Sequence, residues 1–404
     1  MSREIWIAQS QDDTQVALVE ENKVLEVFVE HQSVQMLRGN IYAGKVSRVV
    51  PALQSAFIDI SLDKMAFLHV TEVVSEGRNQ THEGNPPIQK LLREGQSVMV
   101  QVIREGMGQK GPRVTMNITL ASRYLVLVPR QEQFSLSKKI TGQDEIERLR
   151  RLLPDVSAAS GLGLIARTVA EGKSIETLEN EFDALVEQWD EIESGYLQDR
   201  TPRKLHEDLP VALRTLRDLL DSRISRIRID DESIRDEVAS FIARFATDFA
   251  GELGAVEPTL GHELESGLAV ETVHDKRVNL PSGGYIIIEK TEAMTTVDVN
   301  SGGNLGQKDL AATALQTNLE ACVAIARHLR LRNIGGLTVI DFIDMGSESD
   351  EGRVAQKMKD LCATDRLHCQ VSDVLPFGLL AVSRSRVGLP LDASMGSGDS
   401  EASP

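Results

Sequence analysis

Two short apolar segments near the C-terminal end constrain the fold more than any other feature of this sequence. The segments are VDVNS (residues 297–301) and LTVIDFIDM (residues 337–345), and a Gly-Gly pair precedes the second. Between them, apolar residues recur at helical spacing, at Leu315, Leu319, Cys322, Ala326 and Leu329. A strand, a helix and a second strand with near-continuous Val/Ile runs form a βαβ crossover in a parallel sheet. The sequence therefore predicts an α/β domain here.

Each of the two predicted strands carries an aspartate near its carboxyl end. Asp298 and Asn300 have the same parity and share a face, whereas Asp344 has the opposite parity from Asp341. Ligands of open α/β sheets bind at the carboxyl ends of strands, and carboxylate and amide oxygens suit Mg²⁺ or Mn²⁺. Aspartates at strand ends also commonly cap turns or pair with arginines. Spacing alone leaves both interpretations open, and parity makes Asp344 a turn residue or an indirect contributor.

The rest of the chain divides into strand-rich and helix-rich stretches. Residues 3–30 are predicted to form strands joined by polar turns, and five short alternating runs between 39 and 120 are typical of a small OB-type barrel. Residues 122–213 combine strand-like YLVLVP and LGLIART with a long polar helix. A strand at 223–229 then precedes a helix that begins after Asp and Ser capping residues.

Two phenylalanines of the predicted barrel lie on its more polar face. In AFIDI, Phe57 shares a face with Asp59, and in MAFLHV, Phe67 shares a face with His69. Nucleic-acid bases stack on aromatic rings that are exposed in this way. Burial of both rings under a neighbouring loop or domain is the alternative.

Composition limits the class of protein. The net charge is −17, which disfavours general binding to nucleic acid, but residues 36–120 hold ten Lys/Arg and seven Asp/Glu, a local charge of +3. No apolar run is long enough to span a bilayer, and MSREIWIAQS does not resemble a signal peptide. Three cysteines without a CxxC pair disfavour a disulfide framework, so we expect a cytoplasmic protein. The final segment, SMGSGDSEASP, has a disordered composition.

Long motifs carry a specific resemblance. SGGYIIIEKTEAMTTVDVNSGG and TNLEACVAIARHLRLRNIGGLTVIDFIDM are similar to the catalytic core of the ribonuclease E/G family, in particular its ribonuclease G branch. The similarity extends from NIYAGKVSRVVPALQSAFIDI to PFGLLAVSRSR.

The resemblance implies a multidomain α/β fold. An RNase H-like subdomain is interrupted by an S1 (OB-type) β-barrel and followed by a 5′-sensor subdomain and a DNase I-like α/β catalytic subdomain. The implied boundaries are 1–35 and 214–278 for the two RNase H-like parts, 36–120 for the S1 domain, 121–213 for the 5′ sensor, 279–390 for the catalytic subdomain and 391–404 for a disordered tail.

The resemblance also implies functions for individual residues. Asp298 and Asp341 hold the metal, Mg²⁺ with Mn²⁺ as a substitute, and Asn300 orients the site for hydrolysis of single-stranded RNA to 5′-phosphate and 3′-hydroxyl ends. The RNA-contacting residues are Phe57, Phe67 and Lys110, and the pocket for a 5′-monophosphate contains Arg167, Thr168 and Val126. Without the resemblance, Arg167 and Thr168 would be interpreted as the polar end of a strand.

Two departures from the family pattern affect the expectations. The DRxR motif of the family's ribonuclease E branch is Asp365-Arg366-Leu367-His368 here, so His368 replaces an arginine, and dependence on the RNA 5′ end should be weaker. No cysteine follows Cys369, so we expect neither the family's shared zinc ion nor a zinc-linked dimer, although a homodimer without zinc remains open.

The two hypotheses for function are therefore an endoribonuclease for rRNA precursors and mRNA in a bacterial cytoplasm, and an RNA-binding relative that has lost catalysis. Intact Asp298, Asn300 and Asp341 favour the enzyme. Neither hypothesis involves integral membrane association.

Overall fold

A computed structural model describes residues 2–31, 36–74, 86–106, 110–131, 133–270, 273, 275–302, 310–386 and 391. The predicted disordered tail, apart from Leu391, lies outside this set. Contacts divide the chain into two compact units. The first contains residues 1–35, 222–237 and 250–404, and the second contains residues 36–221 and 238–249.

The described residues form twenty-one strands and eight α-helices. The strands are β1 (Arg3–Gln9), β2 (Asp13–Glu20), β3 (Lys23–His31), β4 (Ile41–Val50), β5 (Ser55–Asp59), β6 (Ala66–His69), β7 (Ser97–Arg104), β8 (Arg113–Thr115), β9 (Leu120–Ala121), β10 (Leu125–Val128), β11 (Phe134–Leu136), β12 (Gly163–Ala166), β13 (Arg203–His206), β14 (Ile224–Ile229), β15 (Glu252–Val256), β16 (Arg277–Asn279), β17 (Tyr285–Lys290), β18 (Thr295–Asn300), β19 (Gly336–Asp341), β20 (Cys369–Val371) and β21 (Leu379–Arg384). The helices are α1 (Ile88–Leu91), α2 (Gln143–Ser160), α3 (Ile175–Gln198), α4 (Val211–Leu219), α5 (Glu232–Phe245), α6 (Leu260–Val270), α7 (Leu310–Leu331) and α8 (Glu348–Ala363).

The N-terminal strands share a sheet with strands from much later in the chain. Its order is β15-β14-β1-β2-β3, with β1 parallel to β14 and antiparallel to β2. The chain therefore leaves this sheet after β3 and returns to it at β14. Asp231 caps the following helix, because its Oδ1 accepts a hydrogen bond of 2.9 Å from the backbone N–H of Ile234. The predicted serine cap, Ser233, instead lies inside α5.

Five strands between residues 41 and 115 close into a barrel, as the alternating runs predict. Their order is β4-β5-β6-β8-β7, and antiparallel pairing of β7 with β4 closes the ring. Buried side chains fill the interior, including Ile58, Leu68 and Val100. The later strand β13 pairs with the outer side of β4.

A small sheet and two long helices occupy residues 120–198. The sheet has the order β11-β12-β10-β9. Helix α3 begins at a Ser174 cap that accepts from the N–H of Thr177, and it buries an apolar stripe that includes Phe182 and Trp189. The predicted strands YLVLVP and LGLIART and the long polar helix are thus all confirmed.

The C-terminal sheet contains the two strands that carry the aspartates. Its order is β16-β17-β18-β19-β21-β20, and α7 connects β18 to β19. The prediction of a βαβ crossover is confirmed, since β18 and β19 are parallel. The prediction of a parallel sheet is correct only for that pair, because β17 and β21 flank it in antiparallel pairings. Among the described residues, no helix is long and apolar enough to span a membrane.

Candidate active site

Asp298 and Asp341 lie directly opposite each other on neighbouring strands. The parallel register pairs Thr295 with Thr338 at one end and Asp298 with Asp341 at the other. Directly opposed residues share a face, and neighbouring strands lie about 4.8 Å apart. Both side chains are exposed, whereas the adjacent Val297 and Ile340 are buried. The two carboxylates therefore stand side by side on the exposed face of the sheet.

Asn300 contacts Asp298, as their shared parity predicts. The Asn300 side-chain Nδ2 donates a hydrogen bond of 2.7 Å to Oδ2 of Asp298. Among the described residues, no arginine or lysine forms an ion pair with Asp298 or Asp341. This disfavours the interpretation in which the aspartates pair with arginines, and it leaves two carboxylates with oxygens available to a ligand.

Glycines allow the chain to turn sharply directly after this site. Gly302 has φ +64°, and a Cβ there would lie 2.4 Å from the backbone oxygen of Gly283. A Cβ on Gly284 would lie 2.7 Å from the backbone oxygen of Asn300. Side chains at these two positions would displace the end of β18 and therefore Asn300.

The loop after Asp341 is held by a residue that the sequence motifs did not indicate. Asn318 of α7 is fully buried, and its Nδ2 donates to the backbone oxygen of Ile343 at 2.8 Å. Its Oδ1 accepts from the N–H of Ile343 at 3.1 Å. The only signal in the sequence is a polar residue next to the apolar stripe of α7. Asp344 lies in this loop, which agrees with its prediction as a turn residue, but strand parity is not the reason, because the strand ends at Asp341.

The predicted stacking residues face each other on the barrel. Phe57 and Phe67 are paired in the register of β5 and β6, and their ring centroids lie 6.0 Å apart in an edge-to-face arrangement. Both rings are partly exposed, whereas Ile58 and Leu68 point into the barrel. The prediction that the two rings share the more polar face is thus confirmed as geometry.

Two arginines extend this aromatic pair into a row, and sequence reasoning missed both. Strand pairing places Arg48 opposite Phe57 and Arg113 opposite Phe67. Arg113 also lies 3.5 Å from Glu72. Lys110 is exposed on the loop that enters β8, although residues 107–109 of that loop lie outside the described set. A register between strands cannot be inferred from single strand patterns, so the row was not predictable.

The residues predicted to bind a 5′-phosphate have partners within the protein. Arg167 donates to Oδ1 of Asp218 and to the backbone oxygen of Ser122, both at 2.7 Å. Burial opposes ionisation of Asp218, yet the positive charges of Arg217 and Arg167 outweigh it, so the pKa of Asp218 lies below its ordinary value. Arg167 therefore already holds a carboxylate where the prediction places a phosphate.

Each of the other three residues predicted for the pocket has its own environment. The Thr168 hydroxyl lies 2.8 Å from that of Ser137. Val126 is half-buried on β10. His368 is exposed and belongs to the other compact unit, so its membership of the pocket stays a prediction.

The remainder of the DRLH segment has structural contacts. Asp365 is buried and forms an ion pair of 2.8 Å with Arg384, and Arg366 forms one of 2.6 Å with Glu26. These pairs tie the segment to β21 and β3.

Two cysteines of the C-terminal sheet region lie together. Cys362 of α8 is buried and hydrogen-bonds to Cys369, which raises the pKa of Cys362 and lowers that of Cys369. Within the described residues, no group of three or more His, Cys, Asp or Glu side chains is arranged to hold a metal ion.

Comparison with known proteins decides the family. Residues 119–387 match the model of the Ribonuclease E/G family. Ribonuclease G of Haemophilus influenzae is 38% identical over 392 residues, which are 95% of this chain and 79% of that protein. The chain belongs to the ribonuclease E/G family. Ribonuclease G of Escherichia coli K12 is 36% identical over 96% of the chain and 80% of its own length. Ribonuclease E of the same organism is 35% identical over 98% of the chain but only 38% of its own length.

Membership of this family makes the chain an endoribonuclease, which the sequence motifs predict. The match covers the sheet that carries Asp298 and Asp341 as well as α2 and α3. The five-stranded barrel fits an S1-like domain. The pair of carboxylates and the aromatic row are candidate places for the chemistry and the RNA binding of such an enzyme.

Proposed function

We propose that the protein is a Mg²⁺-dependent endoribonuclease that hydrolyses single-stranded, A/U-rich RNA to 5′-phosphate and 3′-hydroxyl ends. The observation that carries this proposal is the register that sets Asp298 opposite Asp341, with Asn300 hydrogen-bonded to Asp298. Two exposed carboxylates side by side, with no arginine or lysine partner among the described residues, offer oxygen ligands to a divalent cation. A phosphodiester approaching this edge brings further negative charge, so the same two residues need a cation during the reaction.

The donor set fits Mg²⁺ and its substitute Mn²⁺. Both prefer oxygen ligands, and Mg²⁺ commonly binds one or two carboxylates and retains several waters. Among the described residues, two carboxylates occur without a third acidic or histidine ligand, which agrees with this coordination of Mg²⁺. Asp298 and Asp341 would hold the ion. When bound, a divalent ion supplies the charge that promotes ionisation of a water and offsets negative charge on the phosphate.

The chain's own residues position this centre. The Asn300 amide fixes the Oδ2 atom of Asp298, so that the carboxylate does not rotate freely. Gly284 leaves room for the backbone oxygen of Asn300, and Gly302 lets the backbone turn away after it. Asn318 fixes the loop that follows Asp341. Together these contacts preorganise both carboxylates before a substrate arrives.

The barrel supplies an RNA-binding surface. Phe57 and Phe67 offer faces for base stacking, which contributes about 1–3 kcal/mol per base. The flanking Arg48 and Arg113 suit the phosphates of the same strand. Lys110 extends the basic character of this surface. A positive barrel also explains how a chain with a net charge of −17 binds a polyanion.

Recognition of the RNA 5′ end is proposed to be weak. A terminal phosphate would have to displace or share Asp218, which Arg167 already holds. Cleavage of 5′-monophosphate and 5′-hydroxyl oligonucleotides at similar rates is the expected result. A large preference for the monophosphate would contradict it.

The same proposal includes the domain names and the cellular setting. The barrel is the S1 domain, residues 121–213 form the 5′ sensor, the split N-terminal sheet belongs to the RNase H-like subdomain, and residues 279–390 form the DNase I-like subdomain. We infer a role in rRNA processing and mRNA decay in the bacterial cytoplasm, as a homodimer without a zinc link. Gel filtration with multi-angle light scattering tests the assembly.

The test of the activity is a cleavage assay on a fluorescent A/U-rich single-stranded RNA. Wild type, Asp298→Asn and Asp341→Asn are compared in Mg²⁺, in Mn²⁺ and in EDTA. We expect cleavage in either metal, no cleavage in EDTA, and loss of at least about two orders of magnitude in either variant, the scale of a lost charge-stabilising group. Glu289→Gln is the matched control, because Glu289 is an exposed acid on β17 of the same sheet that pairs with Lys276.

Each alternative gives a different result. Cleavage that survives Asp298→Asn or Asp341→Asn would contradict the metal assignment. RNA binding without cleavage by the wild type would favour the alternative, a non-catalytic RNA-binding member of the family. A loss in Glu289→Gln equal to that in the aspartate variants would show a general effect of surface charge instead of a site.

A further inference from the structure

A tight turn between residues 375 and 379, directly before β21, exposes an aromatic ring. Phe377 lies between Pro376 and Gly378, and it is 91% exposed. Its backbone is left-handed, with φ +70° and ψ 27°, and Gly378 follows with φ +73°. Left-handed backbone is rare for a bulky residue, and exposure of most of a phenyl ring to water is unfavourable. Two unfavourable features at one position indicate a function that requires them.

The turn is fixed, and it adjoins Asp341. The N–H of Leu375 donates to the oxygen of Leu379 at 2.7 Å, which closes the turn. Leu379 is in turn the register partner of Asp341 in the pairing of β19 with β21. A Cβ on Gly378 would lie 3.5 Å from the backbone oxygen of Phe342. The turn thus packs against the residue that directly follows Asp341.

We propose that Phe377 is a base-stacking residue of the active site, and that it holds the base of a nucleotide adjoining the phosphate that is cut. The proposal rests on the proposed function, since it assumes that RNA occupies the edge formed by Asp298 and Asp341. A flat apolar ring suits every base, because each base has a π-face. A nucleotide whose phosphate is placed at Asp341 would carry its base towards the turn before β21, which contains Phe377.

The left-handed backbone explains how the ring stays exposed. The ring is 91% exposed in this turn, so it does not pack onto the core that contains the buried Leu380. The substrate then covers the ring, which removes apolar surface from water during binding. Stacking at this position would orient the sugar-phosphate backbone relative to the two carboxylates, which is a contribution separate from affinity at the barrel.

The test combines a protein variant with a substrate variant. Phe377→Leu removes the aromatic face but keeps an apolar side chain, Phe377→Tyr keeps the face, and Val323→Ala removes an exposed apolar side chain from α7 as the matched control. Each protein cleaves a set of single-stranded oligonucleotides that have one abasic site at successive positions around the cut. We expect Phe377→Leu to lower kcat/KM by about 5- to 150-fold, the range that stacking of one base implies, with Phe377→Tyr and Val323→Ala close to wild type.

The abasic series locates the base and excludes other causes. At one nucleotide beside the cut, the abasic substitution should slow wild type by a similar factor yet have no further effect on Phe377→Leu. Equal abasic penalties in both proteins at every position would overturn the proposal. Loss of dimer in Phe377→Leu on gel filtration would also overturn it, because the ring would then cover a second copy of the chain.

A binding assay separates this proposal from the proposed function. RNA with 2-aminopurine at the located position is bound in EDTA, where no cleavage is expected, and the quenching of its fluorescence is compared between wild type and Phe377→Leu. If wild type cleaves and the two proteins quench equally, only the stacking proposal fails. If wild type binds and quenches but does not cleave, the proposed function fails while the stacking is supported. Absence of binding by wild type contradicts both.

Discussion

Replacement of Asn318 should damage catalysis more than RNA binding. This side chain makes two hydrogen bonds to the backbone of Ile343, of 2.8 and 3.1 Å, and is itself fully buried. Asn318→Leu keeps nearly the same volume and removes both bonds. The N–H and C=O of Ile343 then lose their partners in a partly buried loop. An unsatisfied buried group costs about 1–3 kcal/mol, so two groups near the lower end predict a destabilisation of about 2–4 kcal/mol.

Asn318→Asp is the more discriminating variant. It keeps the Oδ1 acceptor for the N–H of Ile343 but turns the Nδ2 donor into an oxygen opposite the Ile343 carbonyl. That contact is repulsive for a carboxylate and favourable for a protonated carboxyl group, so the pKa of the new aspartate should be raised in the folded state. Because a carboxyl group with a raised pKa favours the folded state only while it is protonated, the free energy of unfolding of this variant is greatest at low pH and falls as pH rises. The variant should therefore approach wild type near pH 5 and differ from it most near pH 8.

Urea unfolding, followed with circular dichroism and with Cys322 labelling, measures the stability of the unit that contains α7. Steady-state cleavage measures kcat and KM, and a displaced Asp341 should lower kcat while KM changes little, since RNA binding at the barrel is unaffected. Gln316→Leu is the matched control on the same helix, where the exposed amide donates a hydrogen bond to Glu320. Wild-type stability and kcat in Asn318→Leu, or an equal loss in Gln316→Leu, would refute the reasoning.

Three further predictions follow from single side chains. Phe67→Ala should weaken RNA binding by about 5- to 150-fold in fluorescence anisotropy, and Phe67→Tyr should not. Burial lowers the pKa of His328 to about 3. The part of the free energy of unfolding that depends on a neutral imidazole at this position, on the order of 4 kcal/mol, is present above pH 6.5 and is lost as pH falls towards 3. His328→Asn should flatten this pH dependence in acid unfolding. Cys369, whose pKa is lowered, should react with iodoacetamide before Cys322, whose pKa burial raises to about 12, and mass spectrometry of labelled peptides gives the order.

Alternation along a single strand predicted which side chains of the site share a face of that strand. It placed Asn300 on the face of Asp298, and it placed Phe57 and Phe67 on the polar face of the barrel. It could not predict that the two rings oppose each other, because the register of β5 and β6 depends on the connection between them. Arg48 and Arg113 were not predicted for the same reason, because they lie beside the two rings only through pairing with neighbouring strands.

Parity also failed where a strand ended earlier than the apolar pattern suggested. LTVIDFIDM continues its alternation past Asp341, but the strand stops there, and Asn318 replaces the missing strand partner for Ile343. A contact between residues 318 and 343 joins a helix to a loop across a crossover, and no local pattern encodes it. Phe377 was missed for a related reason, since the sequence PFG indicates a turn but does not show that the aromatic residue takes the left-handed position.

The acidic character of the chain is compatible with RNA binding because electrostatic repulsion is local. At physiological salt, charges separated by more than about 8 Å are largely screened, so the net charge of −17 matters less than the side chains at the point of contact. On the barrel those side chains are Arg48 and Arg113 beside two aromatic rings, and stacking is far less sensitive to salt than phosphate contacts are. Few phosphate contacts imply modest affinity from charge alone. Aromatic surfaces therefore have to supply much of the binding, which is consistent with a third aromatic ring, Phe377, exposed in the turn before the strand that pairs with β19.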